Sequence, residues 1–367
     1  MAPLNLGIIG YGGFGPFIHR AWAQLDAINV RAVADADPTR QPGGVTFYTS
    51  WQELVADPHL DLVAVATPPR THAEIACSAM EAGKHVLVEK PLATTREDAR
   101  RILAVRDRTG RVATVDFMLR FNPVVEALYA WSRNGSFGRL RRVVVENYAQ
   151  DETLPPEHWF WNHALSGGIL IEHAVHFIDI VQSFATAPAR RVDGVSLQRN
   201  PNQTDRMMAT VVYGDDLVAT HYHAFMRPGF FERTSMRFVF DLAQLDVEGW
   251  IPLSGRVTAL VGSETRPELA RLPGFRAVQE ETLGDGNHAP RRLRSGGQTY
   301  EAEHLIEGVF AVPVPKAEAY AACLQRLIAD VAAVIRHPSH RMRVTLEDGL
   351  ISLDIALRAT EHARRAA

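Results

Sequence analysis

Leu4-Asn5-Leu6-Gly7-Ile8-Ile9-Gly10-Tyr11-Gly12-Gly13-Phe14-Gly15 opens the chain. An apolar run that breaks into Gly-x-Gly-x-x-Gly predicts a buried strand, a tight turn and a helix, the opening of a dinucleotide-binding βαβ unit. Gly10 permits the turn, Gly12 lets backbone approach a pyrophosphate, and Gly15 lets the helix lie close to the strand. Gly13 and Phe14 complete the cradle. The helix beginning near Phe14 aims its N–H groups and positive dipole end at the same phosphates. Asn29-Val30-Arg31-Ala32-Val33-Ala34 reads as the second strand, and Asp35 stands at its end, 20 residues after Gly15. A carboxylate there accepts hydrogen bonds from the adenosine ribose hydroxyls and repels a 2′-phosphate, so NAD is the expected cofactor. Arg40, just beyond the strand, keeps NADP possible.

Outward from this unit, strand and helix alternate as in a doubly wound parallel sheet. Asp61–Ala66, His85–Val88 and Val112–Val115 are strand runs, separated by helical stretches at His72–Ala82 and Arg96–Arg108. Near Phe121 the rhythm changes. A helix at Pro123–Ser132 leads to a strand at Leu140–Tyr148, a polar aromatic loop, and a helix at Ile169–Phe184. From Arg190 to about Val261 come period-two β runs, among them Met207–Tyr213, Leu217–Phe225 and Ser235–Leu242. Without helical crossovers they predict a large, mostly antiparallel open sheet. Residues 262–297 read as an irregular surface excursion, and Ala317–Arg336 and Glu347–Arg364 as helices. The expectation is an α/β chain in two domains: residues 1–121 as a dinucleotide-binding Rossmann domain, and residues 122–367 as an α/β domain whose last helix packs back on the first.

Bulk properties narrow the partners. The 367 residues suit two cores, and a formal charge of −3 disfavours nucleic acid or an anionic membrane. Arg291-Arg292-Leu293-Arg294 reads as a solvated loop face. No apolar stretch approaches bilayer-spanning length, and the first strand leaves no room for a secretory leader. Cys77 and Cys323 lack metal or redox spacing, which points to a reduced, cytoplasmic setting.

The chemistry-bearing residues fall at strand ends and on one helix. Thr67-Pro68-Pro69-Arg70-Thr71-His72 and Glu89-Lys90-Pro91 close neighbouring parallel strands at the carboxyl edge, where doubly wound sheets bind ligands. A lysine there neutralises negative charge developing on a substrate oxygen, or donates a proton to it. Glu172, His176 and Asp179 are spaced i, i+4, i+7 and share one helix face. A carboxylate beside an imidazole orients the ring and raises its pKa, which suits it to shuttle a proton near neutrality.

Taken in order, the glycine loop, Thr67-Pro68 with His72, Gly83-Lys84-His85-Val86 running into Glu89-Lys90-Pro91, Arg120-Phe121-Asn122-Pro123, and Gly167-Gly168 before the His176 helix resemble the Gfo/Idh/MocA oxidoreductases. The resemblance is strongest from residue 4 to about 180. It implies an N-terminal Rossmann domain and a second α/β domain whose open sheet commonly makes oligomer contacts, in a homodimer or homotetramer. It implies that Lys90 contacts substrate and nicotinamide ribose, that His176 exchanges the hydroxyl proton during hydride transfer, and that the bond before Pro91 is cis. Glu172 falls where many members have Asp; the extra methylene shifts the carboxylate by roughly a bond length.

The expected function is therefore NAD(H)-dependent hydride transfer to or from a carbinol carbon of a sugar, cyclic polyol or sugar derivative. Lys90, His176 and Glu172 are the candidate catalytic residues. Gly10, Gly12, Gly13, Phe14, Gly15, Asp35, Thr67, Pro68, His72, Glu89 and Lys90 are the candidate cofactor residues. Arg120, Trp161 and His173 join the catalytic three toward substrate, with Trp159 and Trp161 on a loop able to stack on a sugar face. Tyr148, His221, His223 and Arg227 are further polar groups for the pocket. NAD-assisted elimination or glycoside cleavage, and a non-enzymatic dinucleotide sensor, are the alternatives. Glu172, His173, His176 and His221 also suit a divalent metal by composition. Glu-His-x-x-His is not the zinc-protease pattern, however, and His173 is turned about 100° from the Glu172–His176 edge; no metal is expected.

Overall fold

The computed structural model describes residues 2–283 and 290–366. The chain forms two compact units: Met1–Phe121, Pro156–Asp179 and Tyr320–Leu357 in one, and Asn122–Pro155, Ile180–Ala319 and Arg358–Ala367 in the other.

In the first unit, β1 (Leu4–Ile9), β2 (Ile28–Ala34), β3 (Thr46–Tyr48), β4 (Leu62–Val65), β5 (His85–Val88) and β6 (Ala113–Val115) form one sheet in the order β3-β2-β1-β4-β5-β6. All five pairings are parallel. The crossovers carry helices α1 (Gly15–Trp22), α2 (Trp51–Ala56), α3 (His72–Glu81) and α4 (Arg96–Thr109). A sheet covered on both faces needs continuous apolar strands, and every residue of β4 and β6 is buried. Local chemistry sets both ends of α4. Thr95 caps α4 by accepting from Asp98 N at 3.1 Å, and Gly110 ends it in the left-handed conformation at φ 64°. The sequence reading passes over β3 and α2. Three residues, Thr-Phe-Tyr, at the half-exposed edge of a sheet produce no period to detect.

The chain returns to this unit with α8 (Lys316–Arg336), where Leu324, Leu327, Ile328 and Val331 form a buried stripe. The Trp22 indole donates to Leu324 O at 3.1 Å, tying α8 to α1.

The second unit holds α5 (Pro123–Asn134) and a nine-stranded sheet in the order β14-β17-β13-β12-β11-β7-β10-β9-β8. Its strands are β7 (Leu140–Gln150), β8 (Ala189–Asn200), β9 (Gln203–Tyr213), β10 (Leu217–Arg227), β11 (Arg233–Phe240), β12 (Ala243–Glu248), β13 (Ser254–Val261), β14 (Arg276–Thr282) and β17 (His304–Ala311), with a separate hairpin of β15 (Arg291–Ser295) and β16 (Gln298–Ala302). Only β7 and β10 pair in parallel, so the sheet is mostly antiparallel, as its period-two pattern predicts. Val143, Val145, Phe238 and Leu245 face the core, while Glu146, Arg237 and Asp246 line the other face.

Three expectations are corrected. Residues 262–297 are not an irregular excursion: they hold a 3-10 turn (Arg266–Arg271), the edge strand β14 and the hairpin strand β15. Seven consecutive exposed residues in β14 leave no burial pattern in the sequence. The part of that call on residues 284–289 lies outside the described residues. The helix expected over Ile169–Phe184 is a π-turn at Leu170–Ala174 running into α7 (Val175–Phe184), preceded by the short α6 (His163–Ser166). Finally, one helical run, His163–Phe184, does reach spanning length, with mean hydropathy 1.4; 78% of its most apolar window is buried in protein, as in a core helix. The last helix, α9 (Leu346–Ala366), contributes to both units.

Candidate active site

The glycine loop is built for a close approach of backbone. Gly10 has φ +93°, and a Cβ there would sit 2.5 Å from Ala66 O. A Cβ on Gly15 would collide with Gly10 O. Nothing lies within 4 Å of a Cβ placed on Gly13, so the loop's outer side is open. Pro16 enters α1 in its first turn, and no acidic residue stands there to oppose an incoming phosphate. These are the features a pyrophosphate needs.

Asp35 closes the loop onto β2. Its Oδ2 accepts from Tyr11 N at 2.7 Å and its Oδ1 from Asp37 N at 2.9 Å, with only 8% of the side chain exposed. Arg40, 47% exposed, reaches Asp35 Oδ2 at 3.2 Å. The counterweight residue for NADP is thus paired with the very carboxylate that selects against it.

Two further strand ends complete the carboxyl edge. The His72 ring nitrogens lie 2.8 Å from Pro91 O and 2.8 Å from Thr67 O. Fully buried, His72 braces the ends of β4 and β5 rather than presenting a ring to a cofactor. Thr67 is held by Thr71 Oγ1 at 2.7 Å, and the Lys90–Pro91 bond is cis.

Lys90 is the centre. Its Nζ donates to Glu172 Oε1 at 2.8 Å and to Glu172 O at 2.9 Å. The side chains are 16% and 14% exposed. Glu172 sits within the π-turn, and both its carbonyl and its carboxylate meet the one ammonium. Burial works against both charges. Even so, Glu172 and Glu89 raise the Lys90 pKa, while Lys90 and His173 hold the Glu172 carboxyl below its usual range. The pair is ionic.

His176, one turn further, is buried edge-on against Phe117, ring centroids 6.2 Å apart. The sequence argument has Glu172 raising its pKa. Instead burial, then Lys90 and His173, push it well below the usual imidazole value. Glu172 is engaged by Lys90. His173, also deeply placed, is pushed down to about 4 by burial. Both rings are neutral at physiological pH.

The remaining candidates divide. Asp179 is taken by Arg120, whose Nε and Nη2 donate to it at 2.7 Å and 2.5 Å, while Nη2 also reaches Asp348 at 3.0 Å. Although burial opposes its charge, Asp179 and Asp348 hold the Arg120 guanidinium fully protonated. With 11% of its side chain exposed, Arg120 braces the unit rather than offering its fork to substrate. Trp161 is 6% exposed on a 3-10 turn capped by His158, packed edge-on to Phe160. In the second unit, His221 and His223 are buried, rings stacked with centroids 6.5 Å apart. Arg227 lies 4.5 Å over the Tyr148 ring. Among the described residues, no group of three or more His, Cys, Asp or Glu is placed to share a metal ion.

One residue was missed. Asp116, at the end of β6, is 2% exposed and hydrogen-bonds the Glu89 side chain. A lone Asp after a three-residue strand carries no signal until the sheet sets it beside Glu89.

Residues 4–117 match the oxidoreductase family with an NAD-binding Rossmann fold, and residues 125–241 match the GFO/IDH/MocA C-terminal domain. The chain belongs to the Gfo/Idh/MocA oxidoreductase family. It is 30% identical over 278 residues to inositol 2-dehydrogenase 2 of Saccharopolyspora erythraea, covering 72% of this chain and 78% of that protein. It is 33% identical over 200 residues to levoglucosan dehydrogenase of Pseudarthrobacter phenanthrenivorans, covering 50% of this chain and 51% of that one, so the chain spans about half the length of that relative. The fold matches the WlbA dehydrogenase of Bordetella pertussis, solved with NADH and UDP-GlcNAcA, at TM-score 0.74 and 19% identity over 100% of this chain and 96% of the other. With the glycine cradle and Asp35, family membership establishes a nicotinamide dinucleotide-binding oxidoreductase fold.

Proposed function

We propose that the protein is an NAD(H)-dependent dehydrogenase of a cyclic polyol, sugar or sugar derivative. The observation that carries this is the Lys90–Glu172 ion pair at the carboxyl edge of the Rossmann sheet, with neutral His176 one helical turn away. When bound, the nicotinamide supplies the hydride acceptor or donor. In the oxidative direction, Lys90 donates a hydrogen bond to the reacting oxygen and offsets negative charge as it develops there. The His176 imidazole, unprotonated, accepts the hydroxyl proton. Glu172 keeps Lys90 charged and directed, and accepts from a neighbouring substrate hydroxyl.

This mixture of an ammonium, a carboxylate and imidazoles, with Trp161 nearby in sequence, suits a ring with many hydroxyls. A simple apolar alcohol would desolvate those groups without giving them partners. The inositol and levoglucosan dehydrogenases among its relatives act on ligands of that kind by their names. Screening NAD reduction against cyclic polyols, aldoses and anhydrosugars beside alkyl and benzylic alcohols tests the assignment. Turnover confined to the apolar alcohols would sink the carbohydrate reading.

A further inference from the structure

We propose that Asp116 is a positioning residue for Lys90: it shares a proton with Glu89, and Glu89 in turn fixes the Lys90 backbone. The assignment rests on the dehydrogenase reading above.

The geometry starts from the sheet. Val88 and Val115 are register partners in the parallel pair β5–β6, so the residues that follow them emerge side by side at the carboxyl edge. The ladder continues one step past the strands, with Glu89 N donating to Val65 O at 2.8 Å and Asp116 N to Val88 O at 2.7 Å. Each carboxyl is then anchored by a backbone N–H. Glu89 Oε2 accepts from Lys90 N at 2.8 Å, and Asp116 Oδ1 accepts from Met118 N at 3.1 Å.

The two side chains hydrogen-bond each other. A bond between two carboxyls requires a proton, since two carboxylates offer only acceptors. Burial raises both groups, Asp116 to about 6 and Glu89 well above the usual carboxylate range. At neutral pH the pair therefore holds one proton between its two carboxyls and carries one negative charge. Lys90 approaches from the loop after β5, with Glu172 beyond it, and Tyr320 approaches from α8. Burial, then Glu89 and Asp116, push the Tyr320 hydroxyl upward, so it stays neutral. Lys90 is the only cation acting on the pair among these groups, and both carboxyls raise its pKa.

Asp116 thus acts on the reaction only through Glu89 and the Lys90 backbone and charge. As pH falls through about 6 the pair takes up its second proton and becomes neutral, and Glu89 Oε2 becomes a weaker acceptor for Lys90 N. The anchor of Lys90 loosens as pH falls.

The test has two arms. In infrared difference spectra at neutral pH, wild type minus Glu89→Gln shows a protonated-carboxyl band, which shifts in Asp116→Asn as the bonding partner changes. In kinetics, Asp116→Ala lowers kcat about ten- to hundredfold, the scale of a misplaced catalytic group, while NADH Kd is held. Asp116→Asn, which still bonds Glu89, recovers most of that loss and moves the acid limb of the kcat profile away from pH 6. Absence of the carboxyl band overturns the shared proton. A band accompanied by wild-type kcat and pH profile in Asp116→Ala overturns the positioning role. Wild-type protein inactive on every polyol and sugar would count against the dehydrogenase reading instead, and the infrared arm would still decide the pair.

Discussion

Replacing Glu172 by Gln isolates the charge of the Lys90 pair while keeping its shape. In the wild type the ammonium and carboxylate meet at 2.8 Å with 16% and 14% of their side chains exposed. Removing one partner of a buried pair costs about 3–5 kcal/mol, most of it the penalty of an uncompensated charge. Two observations reduce that figure. Lys90 Nζ keeps Glu172 O as an acceptor at 2.9 Å, and the Gln carbonyl replaces Oε1. A loss of about 2–3 kcal/mol at neutral pH follows, on the scale of a hydrogen bond to a charged group. The pH dependence has a definite sign. The Glu172 pKa is lowered by folding, so its contribution is present above the ordinary carboxylate value and lost as pH falls through the depressed one. The Lys90 pKa is raised, so its contribution is present below the ordinary ammonium value and lost as pH climbs through the elevated one. The stability gap between the two proteins is therefore widest from about pH 5 to about pH 10. Urea titrations of both proteins across that range measure it, and Lys90→Met/Glu172→Leu should recover part of the loss because it strands no charge. A gap under about 0.5 kcal/mol at neutral pH, or one that grows as the pH drops toward 3, would refute the ionic account.

Other expectations follow from neighbouring geometry. NADH binds more tightly than NADPH because Asp35 meets a 2′-phosphate with like charge and Arg40 is already paired with it; fluorescence titration of both cofactors shows which residue decides. Lys90→Met and His176→Ala leave NADH binding within a few-fold and lose turnover mainly in kcat, at least about a hundredfold for a lost proton acceptor; near-normal turnover in either would remove that residue from the mechanism. Burial already raises the Asp179 carboxyl to about 7, so in Arg120→Met it takes up a proton and the loss is that of the lost charged hydrogen bonds, about 1.5–3 kcal/mol, read by denaturant titration; a loss under about 0.5 kcal/mol would mean that the fork contributes nothing. Prolonged chelation leaves fold and activity intact, whereas activity restored only by added zinc or manganese would revive a site at Glu172 and His173.

How far the sequence reached can be judged residue by residue. The glycine loop, Asp35 and the strand-end Lys90 were legible because each is dictated locally: a turn needs its glycine, and a carboxylate at a strand end needs only that strand. The parallel and antiparallel sheets were legible because burial on two faces or one leaves a run or an alternation. β3 and β14 were not, since exposed edge strands bury too little to leave a pattern. The helical spacing of Glu172, His176 and Asp179 set Glu172 beside the His176 ring; the folded chain pairs Glu172 with Lys90 and Asp179 with Arg120. Which carboxylate meets which cation depends on segments 82 residues apart for Lys90 and Glu172 and 59 apart for Arg120 and Asp179. Glu172 lies in a π-turn that no residue preference announces. The same holds for the downward shift of the His176 pKa, which comes from burial, and for Asp116, which gains its meaning from one strand register. Local backbone preference and hydrophobic period were written in the sequence; ionisation and charge pairing were set by desolvation and distance, which exist only once the chain has folded.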